Sequence, residues 1–276
     1  MRHEECHFKE MGHRDGMHRN ATLDGRNFIG GTVADVAMRR WLDQPEPIPG
    51  TLVNSAKEVF EELAIENPER PIRWKGSAAA DQRKVLADVE EALTKLDPWL
   101  TEHVLPYDYQ PEARDVGVIG VPDRDGTVRA IELFFAVDIA VKPTDFYSLY
   151  DLKVTRNDDY VRGKTLGQLT FYSLAWAARF GIPVTQISHR AFITPLATQF
   201  ETVTTPTADD YRYMMTRITD YAQSVWADER STKTEKDFDC SYRCDVRHAC
   251  PLFAVPVGDD RRISFAEVVR RRKAGT

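Results

Sequence analysis

The sequence predicts a mixed α/β fold, with a central sheet of mixed strand direction flanked by helices. Three observations lead there. Apolar residues recur at helical spacing through the first hundred positions, β-branched and aromatic segments separated by turn signals begin near residue 114, and a further strand is interleaved with helical segments after that. The order reads helices, three strands, helix, strand, helix.

The first helix is expected over 27–43, where Val33, Val36, Ala37 and Trp41 share helical spacing, and the Pro-rich stretch 45–50 (PEPIPG) ends it. Two more helices are expected near 51–66 and 77–96, the second with Val85, Leu86, Val89, Leu93 and Leu96 on one stripe. RDVGVIGV, the turn PDRDG and TVRAIELFFAVDIAV then read as a β-hairpin, followed by a strand at 146–154 (FYSLYDLKV). After the polar loop TRNDDYVRGK, LGQLTFYSLAWAARFG has helical spacing and ends in Gly181, a common helix stop. VTQISHRAFIT is the expected fourth strand, a long helix is expected over about 207–229, and Ser264 with Glu267 forms a capping-box pattern before the last helix.

A chain of 276 residues, 42% hydrophobic and 29% charged, can bury a sizeable core, and no internal repeat or low-complexity linker divides it. One domain over 1–276 is the economical reading: a mainly helical region (1–112) with Cys6, a core (113–230), and a basic region (231–276) with the remaining cysteines. No run approaches the roughly eighteen apolar residues of a membrane span, and the first thirty residues are charged and His-rich rather than signal-like, so a cytoplasmic protein without membrane contact is expected. The formal charge of −6 argues against non-specific coating of nucleic acid, yet allows an enzyme with a local basic path. Arg270, Arg271, Arg272 and Lys273 are either such a path or a solvated end.

In DLK, Asp151 and Lys153 stand two apart on an expected strand, so both side chains point to one face and Leu152 to the other. Asp138 interrupts the apolar strand FFAVDIAV, where a charge is costly unless it is paired or binds a cation. Two carboxylates at one spot suit phosphodiester hydrolysis, because they bind Mg²⁺ or Mn²⁺, and such a metal stabilises phosphate charge and lowers the pKa of bound water. Lys153 is then placed to orient the attacking water or help deprotonate it. An ordinary Asp–Lys ion pair across a sheet is the structural alternative for D-x-K.

Taken in order, VDIAV, DLK and GQLTFYSLAW resemble the core of the RecB-like nucleases of the PD-(D/E)XK superfamily: an Asp on one strand, D-x-K on the next, then a helix with Q-x-x-x-Y. Gln168 and Tyr172 supply that last element and, at i and i+4, share one helical face. The resemblance implies a restriction-endonuclease-like core and places both beside the metal and DNA. Trp176 continues the same face, either stacking on a base or sitting in the core. The family also carries, on an N-terminal helix, a Gly followed four residues later by a metal-binding His. Here that position holds Asp35, itself a competent hard-metal ligand, or else an exposed carboxylate at a helix start.

Cys240, Cys244 and Cys250 crowd into eleven residues while Cys6 lies near the other terminus, and clustered cysteines in a reducing compartment point to a metal site. The one-plus-three arrangement is similar to that of the CRISPR-associated Cas-four exonucleases and AddB-type helicase-nucleases, which implies a 4Fe-4S cluster held by Cys6, Cys240, Cys244 and Cys250. CSYRC has three residues between its cysteines where the family usually has two, and with His248 nearby a structural Zn²⁺ is the alternative. Such a centre would tie the two chain ends together around the core. The histidines around Cys6 receive no role. The resemblance further implies a Mg²⁺- or Mn²⁺-dependent DNA exonuclease acting on single-stranded DNA from the 5′ end. A structure-specific endonuclease with the same site, or a non-catalytic DNA-binding subunit, are the alternatives.

Overall fold

A computed structural model describes residues 23–63, 72–74, 76–157 and 165–227. Cys6, Cys240, Cys244, Cys250, His248 and the basic segment 264–273 lie outside the described residues. The described residues fall into two compact units, one of Leu23–Val121 with Val128–Met215, the other of Pro122–Thr127 with residues from Thr216 onward.

The larger unit begins with a short strand β1 (Leu23–Asp24), helix α1 (Gly25–Leu42), a 3-10 turn (Leu52–Ser55) and helix α2 (Ala56–Leu63). Strand β2 (Ile72–Arg73) pairs in parallel with β1, and helix α3 (Ala78–His103) follows. Ser77 caps α3, its hydroxyl accepting from the Ala80 N–H at 3.2 Å. The sequence predicts that this helix stops at 96, before Pro98, but it runs to His103. Proline costs an interior helix a hydrogen bond, and here the burial of Trp99 and Leu100 beyond it offsets that loss. Asp97 is buried on the same helix, and its two carboxylate oxygens accept from the Gly50 and Leu52 N–H groups at 2.8 and 2.9 Å, fixing the 3-10 turn against α3.

Five strands form the main sheet in the order β3 (Asp108–Pro122), β4 (Val128–Lys142), β5 (Tyr147–Leu152), β6 (Ile187–Ile193) and β7 (Glu201–Val203). β4 and β5 are antiparallel, β5 and β6 parallel, and β6 and β7 antiparallel. Parallel neighbours need a crossover, and helix α4 (Thr165–Phe180) provides it between β5 and β6. It closes at Gly181, whose φ of +63° suits glycine. Gly117 of β3 lets α4 approach, since a Cβ there would lie 2.2 Å from the Ala175 carbonyl oxygen. Helix α5 (Ala208–Trp226) begins with a reciprocal cap: the Asp210 carboxylate accepts from the Thr207 N–H, and the Asp210 N–H donates to the Thr207 hydroxyl.

The predicted helical front and the sheet share one core. Val33, Ala37 and Trp41 of α1 and Val85, Val89, Leu93 and Leu96 of α3 pack in one cluster with Ile139, Val141, Tyr150, Ala191 and Ile193 of the strands. Burying each large aliphatic side chain contributes roughly 1.5–3 kcal/mol, so these helices anchor the sheet. Leu169 and Phe192, with Tyr172 against them, form a separate small cluster under α4. The mixed α/β expectation is therefore met, with a five-stranded mixed sheet flanked by helices.

In the smaller unit, the turn between β3 and β4 is closed by Asp123 N–H to Thr127 oxygen (2.7 Å) and Gly126 N–H to Asp123 oxygen (2.9 Å). The Gln223 amide donates to the Pro122 carbonyl at 2.8 Å. No helix of the described residues is long and apolar enough to cross a membrane.

Candidate active site

Strand register assembles the centre of the site. β4 and β5 pair Ile139 with Tyr150 and Ala140 with Leu149, so the next step of the antiparallel ladder brings Asp138 opposite Asp151. The Leu152 N–H donates to Asp138 Oδ2 at 2.6 Å, locking the two strands together there. Asp151 is 2% exposed, an expensive place for a carboxylate, and it is held by partners. Its Oδ2 is ion-paired with Lys153 Nζ, as the same-face spacing of D-x-K predicts. The Lys153 N–H continues the pairing with β6 by donating to the Ile193 oxygen at 2.8 Å, and its ammonium lies 5.2 Å from the centre of the Phe192 ring.

α4 delivers the next side chains. Gln168 Nε2 donates to Asp151 Oδ1 at 2.8 Å and to the Tyr172 hydroxyl at 2.9 Å, so the i, i+4 pair meets the strand carboxylate as one unit. Trp176, one turn further, is 2% exposed and packs against Phe135, Tyr147 and Phe180. Of its two expected roles, the core one is observed.

Asp35 lies within α1, more than two turns from its first residue, and not at a helix start as one reading had it. Its Oδ1 is buried without a hydrogen-bond partner. Burial raises its pKa, while Arg39 and Arg114 oppose the rise, Asp151 adds to it and Lys153 opposes it. Asp35 therefore belongs electrostatically to the same centre as the strand residues.

The charges act strongly on one another. Burial, and then the Asp151 carboxylate, pushes the Asp138 carboxyl well above the ordinary carboxylate range. Burial pulls the Lys153 ammonium down, but Asp151 and Asp138 outweigh it, and the net shift is upward. Burial and the charge of Asp151 push the Tyr172 phenol up to about 12. Lys153 and Tyr172 thus keep their protons at neutral pH and act as donors.

Buried Asp151 and half-buried Asp138 face the one ammonium of Lys153, with half-buried Asp35 beside them, so the strand carboxylates outnumber their cation once both ionise. That excess, with the unpartnered Asp35 oxygen, fits a divalent cation. Among the described residues there is no cluster of three or more His, Cys, Asp or Glu side chains arranged to hold a metal ion. Mg²⁺ does not need such a cage, because it commonly takes one or two carboxylates and completes its shell with water and substrate phosphate.

Sequence reasoning missed one group beside Asp35. Arg39, one turn along α1, and Arg114 of β3 both pair with the carboxylate of Glu112. Glu112 has a φ of +46°, an uncommon conformation for a residue with a side chain. The only local signals were the i, i+4 spacing of Asp35 and Arg39 and a proline before Glu112.

The family model of the PD-(D/E)XK nuclease superfamily matches residues 10–251. Among solved structures, the crystal structure of SSO0001 aligns over 81% of this chain and 96% of its own, at 15% identity and a TM-score of 0.37. No curated protein matches the chain significantly. The family match spans both the helical front and the sheet that carries Asp138, Asp151 and Lys153, and the chain belongs to the PD-(D/E)XK nuclease superfamily.

Proposed function

We propose that this protein is a Mg²⁺- or Mn²⁺-dependent DNA exonuclease that degrades single-stranded DNA from the 5′ end, resembling the Cas-four iron-sulfur exonucleases. The observation that carries the reading is the meeting of Asp138 and Asp151 with Lys153 and the Gln168–Tyr172 pair at the ends of β4 and β5. In it Asp138 and Asp151 would hold the cation, and Asp35 would add negative charge from the helix side. A bound Mg²⁺ or Mn²⁺ would supply charge stabilisation at the phosphate and a more acidic water.

The chain's own residues do the rest. Gln168 fixes the orientation of Asp151 by donating to one carboxylate oxygen, leaving the other facing Lys153. The neighbouring carboxylates keep Lys153 protonated, so it serves as a cation that orients water and phosphate oxygen rather than as the base. Tyr172 accepts from Gln168 and keeps its own proton for a phosphate or sugar oxygen.

The iron-sulfur part rests on the one-plus-three placement of Cys6, Cys240, Cys244 and Cys250 in the sequence. The test of polarity and substrate is a digestion of 5′- and 3′-labelled single strands with and without Mn²⁺, run beside circular single-stranded DNA. Early release of a 5′ label with sparing of the circle is expected. Cleavage of the circle would replace the exonuclease reading with an endonuclease one.

A further inference from the structure

We propose that Arg39 and Arg114, held by Glu112 beside the acidic centre, form a binding site for a phosphate of the DNA strand. The inference rests on the DNA-nuclease reading above and extends it to residues outside the acidic and Gln–Tyr motifs.

The geometry begins with Glu112. A single carboxylate faces both guanidiniums, Oε2 toward Arg39 and Oε1 toward Arg114, so the trio keeps a net positive charge. The Glu112 side chain is only 16% exposed, whereas those of Arg39 and Arg114 are 32% and 59% exposed. The anion is thus sheltered and the two cations reach solvent. Guanidinium forks match phosphate oxygens in shape and charge, and two of them oriented by a common anchor lose less freedom on binding than two loose side chains.

Backbone conformation adds a second observation. Glu112 is the only non-glycine residue with positive φ among the described residues, and it sits within β3. Such a conformation is unfavourable for a residue with a side chain and persists where surrounding contacts over-determine it, most often at functional sites. The Glu112 side chain is the one that pairs with both arginines. Arg39 stands one turn along α1 from Asp35, and both guanidiniums act on the Asp35 carboxylate, so the pair borders the acidic group. A strand whose scissile phosphate lies at Asp138 and Asp151 would meet this positive pair with another of its phosphates.

The test uses the full-length protein with chelator present, so that DNA binds without being cut. Fluorescence anisotropy is read over a salt series for wild type, Arg39→Ala, Arg114→Ala and Arg114→Lys, with thermal melting checking that each is folded. Each alanine variant is expected to bind severalfold more weakly on any sequence and to lower the slope of log affinity against log salt by about 0.7, the share of one phosphate on a single strand. Arg114→Lys is expected to recover the slope and part of the affinity, because it keeps the charge and loses the fork.

Three substrates separate the source of the phosphate. A loss confined to 5′-phosphorylated linear DNA assigns the site to a terminal phosphate, and an equal loss on 5′-hydroxyl and circular DNA assigns it to the backbone; either supports the inference. Alanine variants that match wild type in affinity and slope, while wild type binds, overturn this inference alone. Wild type that binds no DNA overturns it together with the proposed function.

Discussion

Asp138 shows how a single residue in this site trades stability for function. Its carboxyl binds a proton more tightly in the folded chain than the ordinary value of 3.8 allows, so ionising it costs folding free energy as pH rises from that value toward its folded one. Asp138→Asn removes the ionisation while its amide oxygen can still accept from the Leu152 N–H. In the absence of metal the variant is therefore expected to melt higher than wild type at neutral pH, by a margin that shrinks as pH falls toward 4, and to have lost nuclease activity. Melting curves at a series of pH values check this, and a variant less stable than wild type throughout would show that the buried charge is compensated. Gln168→Ala bears on positioning: it frees Asp151 Oδ1 from its amide, and a fall in kcat larger than any rise in KM is expected.

Elements place those residues, and much of their layout was legible in the sequence. The period of two along DLK put Asp151 and Lys153 on one face, because strand alternation is a local rule. The meeting of Asp138 with Asp151 comes instead from the pairing of β4 with β5, which the predicted hairpin of β3 and β4 did not include. Gln168 and Tyr172 were legible because helical spacing is local too. The start of β3 at Asp108 rather than 114 was not, since DYQPEAR contains Pro111 and charged residues that break the alternation. β7 is only three residues long and shows no period. Arg39 and Glu112 are separated by most of the helical front and meet through tertiary packing, so no spacing rule could join them. Contacts between elements yield two stability predictions. Gly117→Val drives a side chain into the Ala175 carbonyl and is expected to cost at least roughly 1–3 kcal/mol in urea unfolding. Asp97→Ala leaves the Gly50 and Leu52 N–H groups without their acceptor and is expected to cost about 1.5–3 kcal/mol, with the active site unaltered. Wild-type stability in either variant would contradict the corresponding packing.

At the scale of the whole molecule, the family match from 10 to 251 spans the helical front and the sheet, which share one core. The proposal that Cys6, Cys240, Cys244 and Cys250 tie the two ends of the chain into the same domain predicts that protein purified without oxygen is brown and absorbs near 400 nm, roughly as thiolate-bound iron-sulfur centres do. Cys244→Ser is expected to lose that absorbance and to lower the melting temperature. A colourless, zinc-containing preparation would overturn the iron-sulfur reading and leave the nuclease reading standing. That reading is tested most directly by following labelled single-stranded DNA with the wild-type protein and with Asp151→Ala and Lys153→Ala, each confirmed as folded, with and without Mn²⁺. Degradation by wild type only when Mn²⁺ is present, and none by either variant, is the predicted result. Undiminished cleavage by Asp151→Ala or Lys153→Ala would contradict the assignment of the centre at β4 and β5.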